Sequence, residues 1–282
     1  MCAFGSGPHP ASFAIAQLPR QESLEFTISC PPFDLLFPPS STCTHLKRLL
    51  ITYNSGLICL PEEIANLLSH LQDLTIHCCK IFARLPKSFS SLTFLEKLTI
   101  SDNDVFARLP EKFGWLPALK KLVLDRLSLS SLPHSFGQLA SLHELFLIRC
   151  REIKQLRESF CDLASLKTLC ILKLKELVLL EDIRGLHHLQ TLIIIGNYWQ
   201  KQLPSTFMQL ISMRRLKLVN AYTEQLLENM GLLRKLQHLH IRSYSIEKLP
   251  RSVSRLTSLD ALTMPTVSGF LWFREGWTAL SG

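Results

Sequence analysis

His238 and His240 stand two residues apart, and an i, i+2 pair on an extended strand projects to one face. Two imidazoles on one face can begin a zinc site. A cage needs further ligands, but Lys217 is the nearest outward neighbour on one side and no carboxylate is close. His77-Cys78-Cys79 is a second candidate. It reads as a mixture of faces, with His77 pointing out and Cys79 in a turn, and no Cys-x-x-Cys completes it. His187-His188 reads as the surface of a helical segment, and Glu181 and Asp182 suit a helix amino terminus. No Ser, His and Asp are forced together by the spacing. No G-x-x-x-x-G-K-[ST] loop exists to cradle a phosphate. The residues therefore predict no enzyme, no cofactor and no metal, and direct attention to surfaces.

What positions those surfaces is a repeat. The pattern apolar-x-x-apolar-x-apolar opens at Leu46, Leu71, Leu95, Leu119, Leu142, Leu166, Leu189, Met213, Leu236 and Leu259, every 23 to 25 residues. A Leu-Pro step follows in six units, at Leu60-Pro61, Leu85-Pro86, Leu109-Pro110, Leu132-Pro133, Leu203-Pro204 and Leu249-Pro250. Leu156, Leu179 and Leu226 hold the same place without Pro. Four residues on comes a bulky apolar residue (Ile64, Phe89, Phe113, Phe136, Phe160, Ile183, Phe207, Met230, Val253), and three further on comes Leu. The +4 and +7 offsets are helical, whereas the opening pattern ends in strand-like alternation. Each unit should be a short strand, a turn, and one or two turns of α or 3₁₀ helix.

A period of this length with Leu at these offsets is the signature of leucine-rich repeats. The expected fold is α/β: a leucine-rich-repeat solenoid, or horseshoe, with a parallel β-sheet on its concave face and short helices or 3₁₀ turns on its convex face. Residues 1–44 read as an irregular amino-terminal segment and worn capping repeat, in which Phe26 and Ile28 hold the strand offsets. Residues 45–265 read as the solenoid of about ten repeats. Residues 266–282 read as a tail or truncated repeat, with Phe273, Trp277 and Leu280 at the spacing of another helical half. That tail either folds back as an apolar lid or is the cut end of a longer array. A single unit buries too few aliphatic side chains to fold alone, so neighbours must stack.

Segments such as LPHSFGQLASLHELFLIRC (132–150) and LPKSFSSLTFLEKLTISDN (85–103) resemble the repeat region of plant intracellular disease-resistance receptors, the nucleotide-binding leucine-rich-repeat class. The resemblance covers roughly residues 45 to 265. It implies that the side chain at the last strand position bonds neighbouring backbone inside the turn. That position holds Asn54, Cys79, Asn103, Cys150 and Asn197. The other five units have Leu127, Leu174, Ala221, Tyr244 and Val267, a departure that predicts looser turns there. The nucleotide-binding switch of those receptors has no counterpart, so the resemblance implies only their sensing half: recognition of a protein ligand or regulatory domain.

The third, fifth and seventh places of each strand pattern should face outward. In repeats four to eight the fifth and seventh places include Val123, Phe146, Ile148, Cys170, Leu172, Ile193, Ile195 and Val219, apolar where solvent favours polar residues. With strands about 5 Å apart these merge into one stripe, a candidate contact surface. β-branched residues also suit strands regardless of exposure. Toward the carboxyl end the same face carries Lys167, Lys173, Arg214, Arg215, Lys217, His238, His240 and Arg242 without Asp or Glu. Repeats two to five mix Asp73, Glu96, Asp125 and Glu144 with Lys97, Lys120 and Lys121. The protein-binding residues expected are thus Val123, Phe146, Ile148, Leu172, Ile193, Ile195, Val219, Arg215, Lys217 and Arg242, and an acidic partner with apolar anchors suits them. Nucleic acid is not expected, because stacking aromatics do not interleave with the basic residues.

The net charge of +8 agrees with acidic partners. Nine cysteines without paired spacing, no Asn-x-Ser/Thr sequon, and a leading segment broken by Pro8, Pro10 and Pro19 predict the cytoplasm or nucleus. No apolar run is long enough to span a bilayer. The alternative function is a general scaffold that brings a phosphatase, small GTPase or ubiquitin ligase to its target.

Overall fold

The computed structural model describes residues 2–4, 22–27, 44–174, 183–196, 204–219, 228–242, 251–264 and 271–273. It divides into two compact units, Met1–Leu142 and His143–Gly282.

In the first unit six parallel strands follow in sequence order: β1 (Cys2–Phe4), β2 (Ser23–Thr27), β3 (Arg48–Thr52), β4 (Asp73–His77), β5 (Lys97–Asn103) and β6 (Lys121–Leu127). The register pairs Leu49, Leu74, Leu98 and Leu122 in one row and Ile51, Ile76, Ile100 and Leu124 in the next. All eight are buried. Period-2 alternation sends these side chains inward and their neighbours outward. Among the described residues the helical side holds α1 (Ile64–Leu67) and 3₁₀ segments at Lys87–Ser91, Phe113–Trp115 and His134–Gln138. Pro86 and Pro133 open two of these with φ of −67° and −66°, the angle the pyrrolidine ring imposes. Phe89, Phe113 and Phe136, the +4 residues, stack face to face at 6.3 Å per step. The helical side packs so closely that a β-carbon on Gly114 would lie 1.6 Å from the Ser135 carbonyl oxygen.

The second unit begins with six parallel strands: β7 (Glu144–Ile148), β8 (Thr168–Leu172), β9 (Thr191–Ile195), β10 (Arg215–Val219), β11 (His238–Arg242) and β12 (Ala261–Thr263). Leu145, Leu169, Leu192, Leu216, Leu239 and Leu262 align in one buried row. Here 3₁₀ segments occupy Glu158–Asp162, Ser205–Gln209, Met230–Leu232 and Arg251–Arg255. Phe160, Ile183, Phe207, Met230 and Val253 are buried at the +4 place.

Three local expectations change. The strand of the worn first repeat pairs Leu24 with Leu49 and Phe26 with Ile51, two residues earlier than Phe26 and Ile28 at those offsets would require. A slip of two keeps the same residues on the same face, so alternation alone cannot detect it. Cys2–Phe4, expected to be irregular, forms β1. Phe273, expected to open a helical half, lies instead in β13 (Leu271–Phe273), antiparallel to β12. Ile28, Trp277 and Leu280 lie outside the described residues, as do Glu181, Asp182, Leu179, Leu203, Leu226 and Leu249.

The turns after the strands carry two regularities. Buried Asn103 accepts from the Cys79 backbone N–H at 2.8 Å through Oδ1 and donates Nδ2 to the Ser101 carbonyl at 2.8 Å and the Ile76 carbonyl at 3.3 Å. Asn54 Oδ1 accepts from Gly56 and Leu57 N–H at 2.9 Å each. Cys79 and Cys150 donate their thiols to carbonyls of the same turns. These are the bonds the resemblance implied. Leu127 does not loosen its turn: β6 runs on to it and pairs it with Asn103, and its side chain is buried. Leu174 is buried as well. Asn197, Ala221, Tyr244 and Val267 lie outside the described residues.

The second regularity has no sequence signal. The residue just before this position has positive φ in seven successive units: Tyr53, Cys78, Asp102, Arg126, Arg149, Lys173 and Gly196, between 51° and 71°. Only Gly adopts this region freely, so six side chains are held there against their own preference by the turn around them.

Candidate protein-binding face

In the second unit the outward places form three rows. The fifth-place row runs Phe146, Cys170, Ile193, Lys217, His240, Thr263 across five strand pairings. The seventh-place row runs Ile148, Leu172, Ile195, Val219, Arg242. The third-place row runs Glu144, Thr168, Thr191, Arg215, His238, Ala261. Nine of the ten residues expected from the sequence are therefore brought onto one face, whose fifth and seventh places are apolar over β7 to β9 and whose cations Arg215, Lys217 and Arg242 lie on β10 and β11. Val123 belongs to the first unit, where it is half-buried on the outward side of β6, opposite Thr99 of β5.

The apolar residues of these rows are half-buried, and none is among the strongly exposed hydrophobic side chains. Parallel strands bring the rows so close that each side chain covers part of the next. Cys170 shows the limit: between Phe146 and Ile193 it is only 5% exposed. Burial pushes its thiol above the usual cysteine range, so it fills space and is not poised as a nucleophile. The most exposed large apolar residues lie elsewhere, among them Tyr53, Ile58, Phe94, Trp115 and Ile211. Outward alternation did not point to them, because they stand in turns and helical segments.

The basic end is electrostatically coupled. Arg215 and Arg242 are exposed, Lys217 is half-buried, and none forms an ion pair among the described residues. Desolvation, with Lys217 and Arg242 adding repulsion, holds His240 below the usual histidine range. Loss of water and the nearby cations both favour the neutral imidazole. The His238–His240 pair gathers no third ligand among the described residues.

The first unit holds a polar cluster at the carboxyl ends of β3 to β6. His77 Nδ1 lies 2.9 Å from Ser101 Oγ and 3.3 Å from Asp102 Oδ2, and Cys78 Sγ lies 3.2 Å from His77 Nε2. Arg126 pairs with Asp102 through Nη2 at 2.6 Å and through Nε. Tyr53 packs edge-on against His77 with ring centroids 5.5 Å apart. The sequence reading placed His77 outward and found only mixed faces in His77-Cys78-Cys79. It had no signal for the left-handed backbone at Cys78 and Asp102, which turns each of these side chains to its preceding residue's side.

No helix among the described residues is long and apolar enough to cross a membrane.

Among solved structures the chain is similar to a leucine-rich-repeat protein of Leptospira interrogans, at 27% identity and a TM-score of 0.77, over 89% of this chain and 62% of that one. It is similar to the protein in the crystal structure of the TLR13–ssRNA13 complex, at 26% identity and a TM-score of 0.72, over 89% of this chain and 36% of that one. It shares its fold with the leucine-rich repeat domain of the type III effector XopL, at 22% identity and a TM-score of 0.55, over 89% of this chain and 79% of that one. The chain thus spans less than two thirds of the first two proteins. Among curated proteins none matches it. Because a relative of this fold is seen with RNA, the expected exclusion of nucleic acid is not carried further. The leucine-rich repeat region family matches residues 23–177, more than half of the chain, and with strands, rows and turns repeating as that family requires, this protein is a member of the leucine-rich repeat family.

Proposed function

We propose that the chain is a protein-recognition module of plant immune-receptor type that takes an acidic segment with apolar anchors on the outward sheet face of residues 143–264. One observation carries the reading: the β7–β11 register runs Phe146, Cys170 and Ile193 into Lys217, and Ile148, Leu172, Ile195 and Val219 into Arg242. A partner whose apolar side chains lie on the first part sets its carboxylates against the second. Buried anchors supply most of the energy, and charge speeds the encounter. Repeats 85–103 and 132–150 support the receptor reading by their resemblance to plant receptors, and a nucleotide-binding domain encoded beside this stretch would separate it from a general scaffold. Reduced thiols at Cys59, Cys78, Cys79 and Cys170 support a reducing, intracellular setting.

The test is an array of peptides that combine Asp/Glu runs with Leu or Phe, probed with the full chain and with single-stranded RNA as competitor. Selective retention of the acidic, apolar peptides, lost when Phe146 and Ile193 become Asp, supports the reading. Retention of RNA alone overturns it.

A further inference from the structure

We propose that His77, Cys78 and Asp102 form a binding site for a zinc-class divalent cation on the first unit. A ring nitrogen, a thiol sulfur and a carboxylate oxygen lie within 4.8 Å of one another there, the one such group among the described residues. Tetrahedral zinc with bonds of about 2.0–2.3 Å needs ligand atoms roughly 3.3–3.8 Å apart. Cys78 Sγ lies 3.2 Å from His77 Nε2, while the 3.3 Å approach of Asp102 Oδ2 is to the other ring nitrogen, Nδ1, and a single ion takes only one of the two. The three donor atoms, one from each residue, lie within 4.8 Å of one another, so side-chain rotation that turns one ring nitrogen toward both Sγ and the carboxylate closes the set.

The backbone supplies the convergence. Cys78 and Asp102 occupy the same left-handed position of successive repeats, with φ of 53° and 56°. In extended strand, His77 and Cys78 would point to opposite faces. The left-handed turn returns Cys78 to the side of His77, and the parallel register of β4 and β5 brings Asp102 alongside. The surroundings hold the ligands in place. Tyr53 packs edge-on against the imidazole. Arg126 pairs with both oxygens of the Asp102 carboxylate, so a divalent ion binds there by taking Oδ2 from the guanidinium. The three groups are only partly exposed, with the His77 side chain at 30% and that of Asp102 at 18%. Cys79 stays out of the set, since its buried thiol is spent on turn carbonyls.

The donor set selects the metal. One thiolate, one imidazole and one carboxylate suit zinc and its neighbours, whereas magnesium and calcium require oxygen cages. Three protein ligands leave a fourth coordination position for water or for a side chain of a partner.

The experiment strips the full chain with a chelator and titrates it with Zn²⁺ alone by calorimetry and with Co²⁺ by absorption. The expected result is one equivalent bound, with a thiolate-to-cobalt charge-transfer band. Cys78→Ser should remove the band and, like His77→Gln, weaken zinc by more than about 100-fold, the upper end of what changes outside the ligand shell cost. Asp102→Asn, which preserves side-chain shape, guards against misfolding: it should weaken zinc while leaving circular dichroism unchanged. Cys59→Ser and Cys161→Ser should bind as the parent does. Absence of binding by the parent, or a band that survives Cys78→Ser, overturns the site.

Discussion

Ile193 and Lys217 stand directly opposite one another in the parallel pairing of β9 with β10. One row therefore changes from apolar to cationic within a single strand spacing, about 5 Å. A partner cannot engage one part without meeting the other, and the predictions below separate the two.

Replacing Phe146 and Ile193 together by Asp puts two carboxylates on half-buried, outward positions. The fold should survive, because both side chains lie opposite the buried Leu rows. Peptide affinity should fall by at least about 30-fold, the loss of one strong anchor at roughly 2 kcal/mol. Titration calorimetry with an unchanged melting curve checks this; equal affinity in the double variant removes the apolar rows from the interface.

Arg215→Glu with Lys217→Glu should act on kinetics. Association should slow by about tenfold at low salt, and its salt dependence should flatten, while dissociation changes less. Stopped-flow measurement at two ionic strengths decides it, and an unmoved on-rate leaves the basic end as solvated surface.

Acidification should be felt at His240. Its folded-state pKa lies below the ordinary histidine value, through desolvation and then Lys217 and Arg242. Between the two values the unfolded chain holds more protons than the folded one, so stability decreases as pH falls from the ordinary histidine range through the folded pKa. An acidic ligand beside His240 would oppose that shift, so peptide binding should strengthen over the same interval. His240→Gln should flatten both dependences, and denaturant titrations and binding at three pH values compare them.

Leu169→Ala opens a cavity in the buried row between Leu145 and Leu192. It should destabilise the chain by about 2–5 kcal/mol. Equilibrium denaturation reads this out; a loss below 1 kcal/mol would mean the row repacks.

Asn103→Leu tests the turn. Leu127 fills the next unit's equivalent place without harm, so size alone is tolerated. At residue 103 the change strands the buried Cys79 N–H and takes a donor from the Ile76 carbonyl and from the Ser101 carbonyl, which keeps its bond from the Cys78 N–H. A cost of about 1–3 kcal/mol is expected, measured as a shift in denaturation midpoint, and a neutral substitution would show that water replaces the amide.

Particular residues show how far the primary structure could be read. The Leu at Leu145, Leu169 and Leu192 recurs at a constant offset, and only stacked parallel strands bury all of them, so the strands, the interior rows and the outward places of Phe146, Ile193 and Lys217 were legible. The worn strand at Ser23–Thr27 was found but placed two residues late, because the alternation of Leu24, Phe26 and Ile28 fits both registers. Phe273 was misread for a similar reason: one apolar residue with helical partners at +4 and +7 does not distinguish a helical half from a short strand.

Periodicity, which records which side chains must leave water, determined the repeat, its interior and its family. Tertiary structure alone decided the sign of φ at Cys78 and Asp102, the degree to which Phe146 and Ile193 shelter Cys170, and the meeting of His77 with a carboxylate in the next unit. Those outcomes depend on backbone geometry and on neighbours some 24 residues away, and no pattern within one repeat encodes either.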